Sequence, residues 1–138
     1  MKVKAAVVVL AGLASVGIYD SVLRAQSVKD GIYTNEQADR GKSSYSRECA
    51  VCHGAELGGG DVPPALIGDA FLNGYPTVGD LFERIRNTMP ANEKVGKLSR
   101  DVNADITAFI LKSNGYAAGA TPLSSKTEIL SAIKMEPK

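Results

Sequence analysis

Five consecutive residues, Cys49-Ala50-Val51-Cys52-His53, constrain this chain more than any other stretch, because they hold both of its cysteines and its only histidine. Cys-x-x-Cys-His is the attachment signature of a c-type haem: the thiols add to the haem vinyl groups as thioethers, and the adjacent imidazole reaches the iron. The spacing of the sulfurs is close to one helical turn, so both face one porphyrin edge while His53 tucks under the ring. Other readings of the five residues are weaker. A thioredoxin-like redox couple requires a nearby βαβ pattern, which this sequence lacks. A closed structural zinc site needs four ligands, and no further Cys or His exists to complete it. A disulfide across so short a gap makes a strained ring and leaves His53 without a role.

Residues 1–27 read as a cleavable export signal. Lys2 and Lys4 give a positive start, and Ala5 to Ile18 is uncharged, mostly apolar and too short for a comfortable membrane span. Ala25-Gln26-Ser27 resembles an A-x-A cleavage site, and cleavage before Val28 leaves 111 residues. The competing reading is an uncleaved N-terminal anchor, which Asp20 and Arg24 argue against. Cleavage changes the net charge from +1 to −1, with 13 basic and 14 acidic residues remaining. With no basic cluster and no Trp, nothing points to nucleic acid. Residues 28–138 are expected to form one domain, with a core at 34–115 and a C-terminal tail at 116–138. After cleavage no stable membrane insertion is expected. A domain this small has a modest apolar core of its own, and a buried haem supplies a large apolar centre.

The remaining pattern is all-α, short helices joined by Gly- and Pro-rich loops, with no alternating run long enough for a strand. Thr34 and Gln37 form a capping-box spacing for a first helix, on which Ala38, Gly41 and Tyr45 share a face. Gly41 in mid-helix is either tolerated or marks the close approach of another helix. After His53 comes a glycine-rich loop and then Val62-Pro63-Pro64-Ala65-Leu66, an extended stretch. A ligating histidine usually donates its other ring N–H to a carbonyl, and Pro64 is the chosen acceptor. Asp69 to Asn73 is expected to make one helical turn that places Phe71 and Leu72 on the haem.

Thr77 and Asp80 cap the next helix, whose apolar face is Leu81, Phe82 and Ile85. Glu83, Arg84 and Arg86 fall on its solvated side, with a haem propionate or a partner as the alternative use of the arginines. Pro90 disfavours helix at the residue before it, which is Met89. Met89 is the candidate second axial ligand, a weak, soft thioether held extended in a loop; the alternative is a core methionine filling a gap. Met1 leaves with the signal, and Met135 lies near the C-terminus, where order is hard to achieve. With one histidine, bis-histidine ligation within the chain is excluded. Ser99 opens the last major helix and Asn114-Gly115 closes it; Val102, Ile106, Phe109 and Ile110 make its stripe, with Phe109 placed to pack on Gly41 and Tyr45. The tail carries a weak amphipathic turn at Ile129, Leu130 and Ile133, and either wraps the body or is ordered by a partner.

Taken in order, residues 34–115 resemble a class I cytochrome c: a first helix with Gly41 and Tyr45, the Cys49–His53 motif, Pro64, Met89-Pro90 and a closing helix with an aromatic. The resemblance implies an all-α fold of three to four main helices around one covalently bound haem c attached outside the cytoplasm, hence a periplasmic protein. It implies that the first and last helices cross beside the haem motif, that the Pro64 carbonyl holds His53, and that His53 and Met89 close both faces of the iron. Ala65-Leu66-Ile67-Gly68, Asp80 to Pro90 and Ile110 to Tyr116 are similar to cytochromes associated with quinoprotein alcohol dehydrogenases. That narrower likeness implies a one-electron carrier, not an enzyme, taking electrons from a dehydrogenase and passing them to a terminal oxidase or other acceptor, as a monomer or small subunit. The alternatives are a haem protein with an open distal site, gas-binding or peroxidase-like, and a small cytochrome subunit of a dehydrogenase complex.

Overall fold

The computed structural model describes residues 27–137; the expected export signal, Ser27 apart, lies outside the described residues. A 3-10 turn at Val28–Asp30 is followed by α1 (Asn35–Glu48), α2 (Ala50–His53), α3 (Asp69–Leu72), α4 (Val78–Thr88), α5 (Arg100–Ser113) and α6 (Thr127–Leu130). No strand occurs among the described residues, only isolated bridges pairing Lys134 with Ser27 and with Thr77. The expected all-α architecture is the one found.

α1 and α5 cross, and the crossing explains the mid-helix glycine. A Cβ at Gly41 would stand 1.8 Å from Asp105 O and 2.9 Å from Phe109 Cβ, so only a residue without one lets the backbones approach this closely. Beside the crossing the Tyr45 and Phe109 rings meet with centroids 5.2 Å apart, a contact worth about 1 kcal/mol beyond burial. Arg40–Asp105 at 2.9 Å and Lys112–Asp39 at 3.0 Å flank it on the surface. The lysine pair is exposed and contributes only a few tenths of a kcal/mol, whereas the arginine pair is bidentate onto the largely buried Asp105 carboxylate and is the stronger of the two.

Local chemistry sets the helix ends. Thr77 accepts from Asp80 N–H while the Asp80 carboxylate accepts from Thr77 N–H, completing the expected capping box of α4. At α1 only half of the expected box forms. Thr34 accepts from Gln37 N–H, but the Gln37 amide turns to the tail, donating to Leu123 O at 3.1 Å and accepting from Leu123 N–H at 2.6 Å. A buried amide gains more from pairing with a buried backbone than from closing a solvated cap.

The tail wraps the body. Val28 N–H donates to Lys134 O, Val78 N–H to Ile133 O and Met135 N–H to Pro76 O, each at 2.9–3.0 Å. Ser27, the last residue of the expected leader, caps the 3-10 turn and donates to Glu136. Several expectations need correction here. Met135 is buried and held by its own N–H, so its place near the C-terminus does not leave it unordered. Ile129 is exposed, while Leu130 and Ile133 are buried: the amphipathic turn shows two of its three apolar residues to the core. Leu72 packs into the core and does not line the cavity described below; Phe71 does. Nor is the outer side of α4 simply solvated, because the tail covers part of it. Glu83 accepts hydrogen bonds from Thr127, Asn87 and Arg86.

Candidate functional site: an apolar cavity with two thiols, an imidazole and a thioether

α1 ends where Cys49 N–H bonds to Tyr45 O, and the chain bends at once into the single turn of α2. Cys52 and His53 N–H both bond to Cys49 O, at 3.1 and 3.0 Å, so the two sulfurs and the imidazole project from one turn. Cys52 is exposed and Cys49 half-buried. Burial, reinforced by the neighbouring Glu48 and Cys52, pushes the Cys49 thiol up to about 11. Burial also pushes the Tyr45 phenol up to about 12, and its hydroxyl donates to Gly54 O at 2.7 Å.

His53 is 8 % exposed, and its Nδ1 lies 2.9 Å from Pro64 O. A carbonyl oxygen only accepts, so Nδ1 carries the proton and Nε2 keeps its lone pair for a metal. The loop between them is built to deliver that carbonyl. Gly59 N–H bonds to His53 O at 2.9 Å, Gly60 N–H to Pro63 O at 2.9 Å and Leu66 N–H to Leu57 O at 2.8 Å, folding residues 54–66 back onto α2. Leu57, buried at the centre of this loop, takes a positive φ of 57°.

Both cysteines and His53 open onto a cavity of about 380 Å³. Leu66, Phe71, Leu81, Ile85, Ile106 and Ile110 make its apolar walls, and Met89 lines it from the loop after α4. Met89 is half-buried and extended (φ −125°, ψ 155°), with its N–H bonded to Ile85 O at 3.0 Å. All five sequence-predicted residues therefore meet at one cavity: Cys49, Cys52, His53, Pro64 and Met89. Sequence reasoning missed Tyr75, whose ring meets Phe71 edge-on at 5.3 Å. Arg84 is exposed but sits at the cavity's rim. A faint signal existed for Tyr75, an aromatic directly after the break at Gly74.

The donor set and the walls fit a haem: soft sulfur and imidazole nitrogen for the iron, two thiols for the vinyls, apolar side chains for the ring. Together with the all-α fold they define a class I c-type cytochrome. Comparison with known proteins agrees and narrows it. The chain belongs to the family described as cytochrome c oxidase, cbb3-type, subunit III, whose model matches residues 36–110, more than half of the chain. It is 30% identical over 95 residues to the cbb3-type cytochrome c oxidase subunit CcoP of Azospirillum sp. (strain B510), an alignment covering 58% of this chain and 32% of that protein. The chain thus spans about a third of that relative's length. Among solved structures it resembles a chain of the sulfane dehydrogenase SoxCD from Paracoccus pantotrophus, with a TM-score of 0.58 and 23% identity. That match covers 91% of this chain and 68% of the other, and at such identity it shows the fold. The protein carries a covalently bound haem c.

Proposed function

We propose that this chain is an exported, periplasmic one-electron carrier whose haem is tethered by Cys49 and Cys52 and ligated axially by His53 and Met89. The observation that carries the reading is the convergence of both thiols, the imidazole and the thioether on one apolar cavity. The chemistry the haem supplies when bound is a one-electron Fe(III)/Fe(II) couple. Pro64 O holds the His53 ring in one tautomer and orientation. Met89, a soft and weakly donating ligand, favours the reduced state and so raises the potential. The walls contributed by α4 and α5 keep water from the ring and lower the local dielectric. Val51 and Val62, 87 % and 90 % exposed, stand at the cavity mouth and offer an apolar contact for a redox partner. Encounters there are expected to be small and short-lived, as electron-transfer complexes are.

If His53 and Met89 both hold the iron, the chain would leave no site for O2, CO or peroxide, which disfavours the gas-sensing and peroxidase-like alternatives. No helix among the described residues is long and apolar enough to cross a membrane. A quinoprotein alcohol dehydrogenase is the first donor to try, with a terminal oxidase as one acceptor. A second reading, a small cytochrome subunit of an oxidase or dehydrogenase complex, draws on the names of the two relatives.

The test is optical and kinetic. Oxidised wild-type protein is expected to show the weak near-infrared band of methionine–iron ligation, and the reduced protein to resist CO. Stopped-flow reduction by a quinoprotein alcohol dehydrogenase, beside other periplasmic dehydrogenases, then identifies the donor. Rapid CO binding by the wild type would sink the carrier reading. Co-elution with a larger partner at physiological concentration would favour the subunit.

A further inference from the structure

Met89 leaves α4 through one backbone hydrogen bond, to Ile85 O. The loop beyond it turns on itself, Asn92 to Pro90, Val95 to Asn92 and Lys97 to Lys94, and meets the body through buried Pro90, the Lys94–Glu48 pair at 2.9 Å and Leu98, whose carbonyl accepts from Asn103. Between Ala91 and Lys97 the loop is held by local turns and that ion pair, which fix a segment only weakly. Where Met89 sits therefore depends on where α4 sits.

α4 packs against α5 on one side and α6 on another. The tail grips it at several points. Val78 N–H and Pro76 O bond to Ile133 O and Met135 N–H at the helix's start. In its middle the Thr127 hydroxyl donates to Glu83. Arg100 of α5 completes the latch, donating to Ser125 O and Thr127 Oγ1, both at 2.7 Å, while its guanidinium lies 5.2 Å from the centre of the Phe82 ring. The fit is tightest at Gly79, where a Cβ would meet Ser131 Oγ at 2.5 Å and Ser131 N at 2.7 Å. Neither Gly79 nor Thr127 lines the haem cavity.

We propose that residues 123–136 form a strap that holds α4 in place and so keeps the Met89 sulfur on the iron, with Gly79, Glu83 and Thr127 as positioning residues. The inference rests on Met89 being the ligand. With the strap displaced, the helices persist but the sulfur leaves the iron more often. An added ligand such as CO then exchanges for it: one iron–sulfur bond breaks, one iron–carbon bond forms, and no electron is transferred.

Haem-loaded Gly79→Ala and Thr127→Val test this, with Lys42→Gly as a control that weakens α1 at an exposed position through helix propensity alone. Near-infrared absorbance of the oxidised protein and far-ultraviolet dichroism are followed through one urea titration, and CO affinity is measured on the reduced protein. Strap variants are expected to lose the near-infrared band well before the helical signal and to bind CO about tenfold more tightly than wild type, the scale of one overpacked methyl group for Gly79→Ala and of a lost hydrogen bond to a charged group for Thr127→Val. Lys42→Gly should shift both signals together and leave CO affinity unchanged. Parallel loss of band and helix in Gly79→Ala and Thr127→Val, with wild-type CO affinity, overturns the strap and leaves the ligand intact. A wild type without the band overturns the ligand, and the strap with it.

Discussion

Gly41→Ala puts a methyl group where α1 and α5 touch. The new carbon would lie 1.8 Å from Asp105 O and 2.5 Å from Asp105 C, atoms of the facing backbone that no rotamer change can move. Restoring an ordinary 3.4 Å contact parts the helices locally by about 1.6 Å. A gap of that size forfeits roughly half or more of the dispersion attraction between the facing atoms, Tyr45 on Phe109 included. Overpacking costs about 1–3 kcal/mol, and a backbone obstacle places this case near the top of that range. Alanine returns about 1 kcal/mol through helix propensity, so the net loss is about 2 kcal/mol. In urea, with a slope of about 2 kcal/mol per molar, the unfolding midpoint falls by about 1 M. Because Ile106 and Ile110 of α5 line the haem cavity, its wall loosens too. Gly58→Ala is the companion variant: a Cβ there meets nothing within 4 Å, and the midpoint should hold or rise slightly. If Gly41→Ala unfolds at the wild-type midpoint or above it, the close crossing does not exist and the reasoning from it fails.

Other consequences are equally open to measurement. Met89→Leu keeps the apolar volume and removes the thioether; its near-infrared band should vanish, its potential fall and its reduced form bind CO, whereas an unchanged spectrum would assign the sulfur to the core. Gln37→Ala leaves Leu123 N–H and C=O buried without partners and should cost about 2–4 kcal/mol by urea denaturation, with the tail more open to proteolysis. Hydrogen bonds, first from Thr127, hold Glu83 below its ordinary value of 4.5 in the folded protein. Its contribution is therefore full above pH 4.5 and is lost as pH falls through the lower folded value. Glu83→Gln should flatten the acid limb of urea midpoint against pH, and a limb with wild-type slope would refute that share.

The site was legible early because its chemistry is local. Cys49, Cys52 and His53 share a turn, and Pro90 marks Met89 as the end of a helix whatever the rest of the chain does. Gly41 and Phe109, far apart in sequence, were legible as two halves of one crossing because a mid-helix glycine is costly without a neighbour. The tail was not legible in this way. Its apolar residues are sparse, and Ile129 even faces solvent, so periodicity alone left its path open. Gln37 misled for a related reason, since a capping glutamine and a tail-binding one look alike until Leu123 is beside it. Arg84 reads both ways, as a solvated cation and as one near the haem: it is exposed and also stands at the cavity's rim.

By itself the sequence determined the haem motif and the helix ends, which depend on residues within about one helical turn of one another, the all-α pattern, which depends on periodicity along each helix, and the candidate axial residues His53 and Met89, each marked by its immediate neighbours. Only the tertiary structure decided that Pro64 O meets His53, that Asp105 O lies against Gly41, and that Thr127 and Ser131 press on α4. Those contacts join residues distant along the chain, and their geometry is set by how closely whole elements pack. Short-range rules of capping and periodicity carry no information about that.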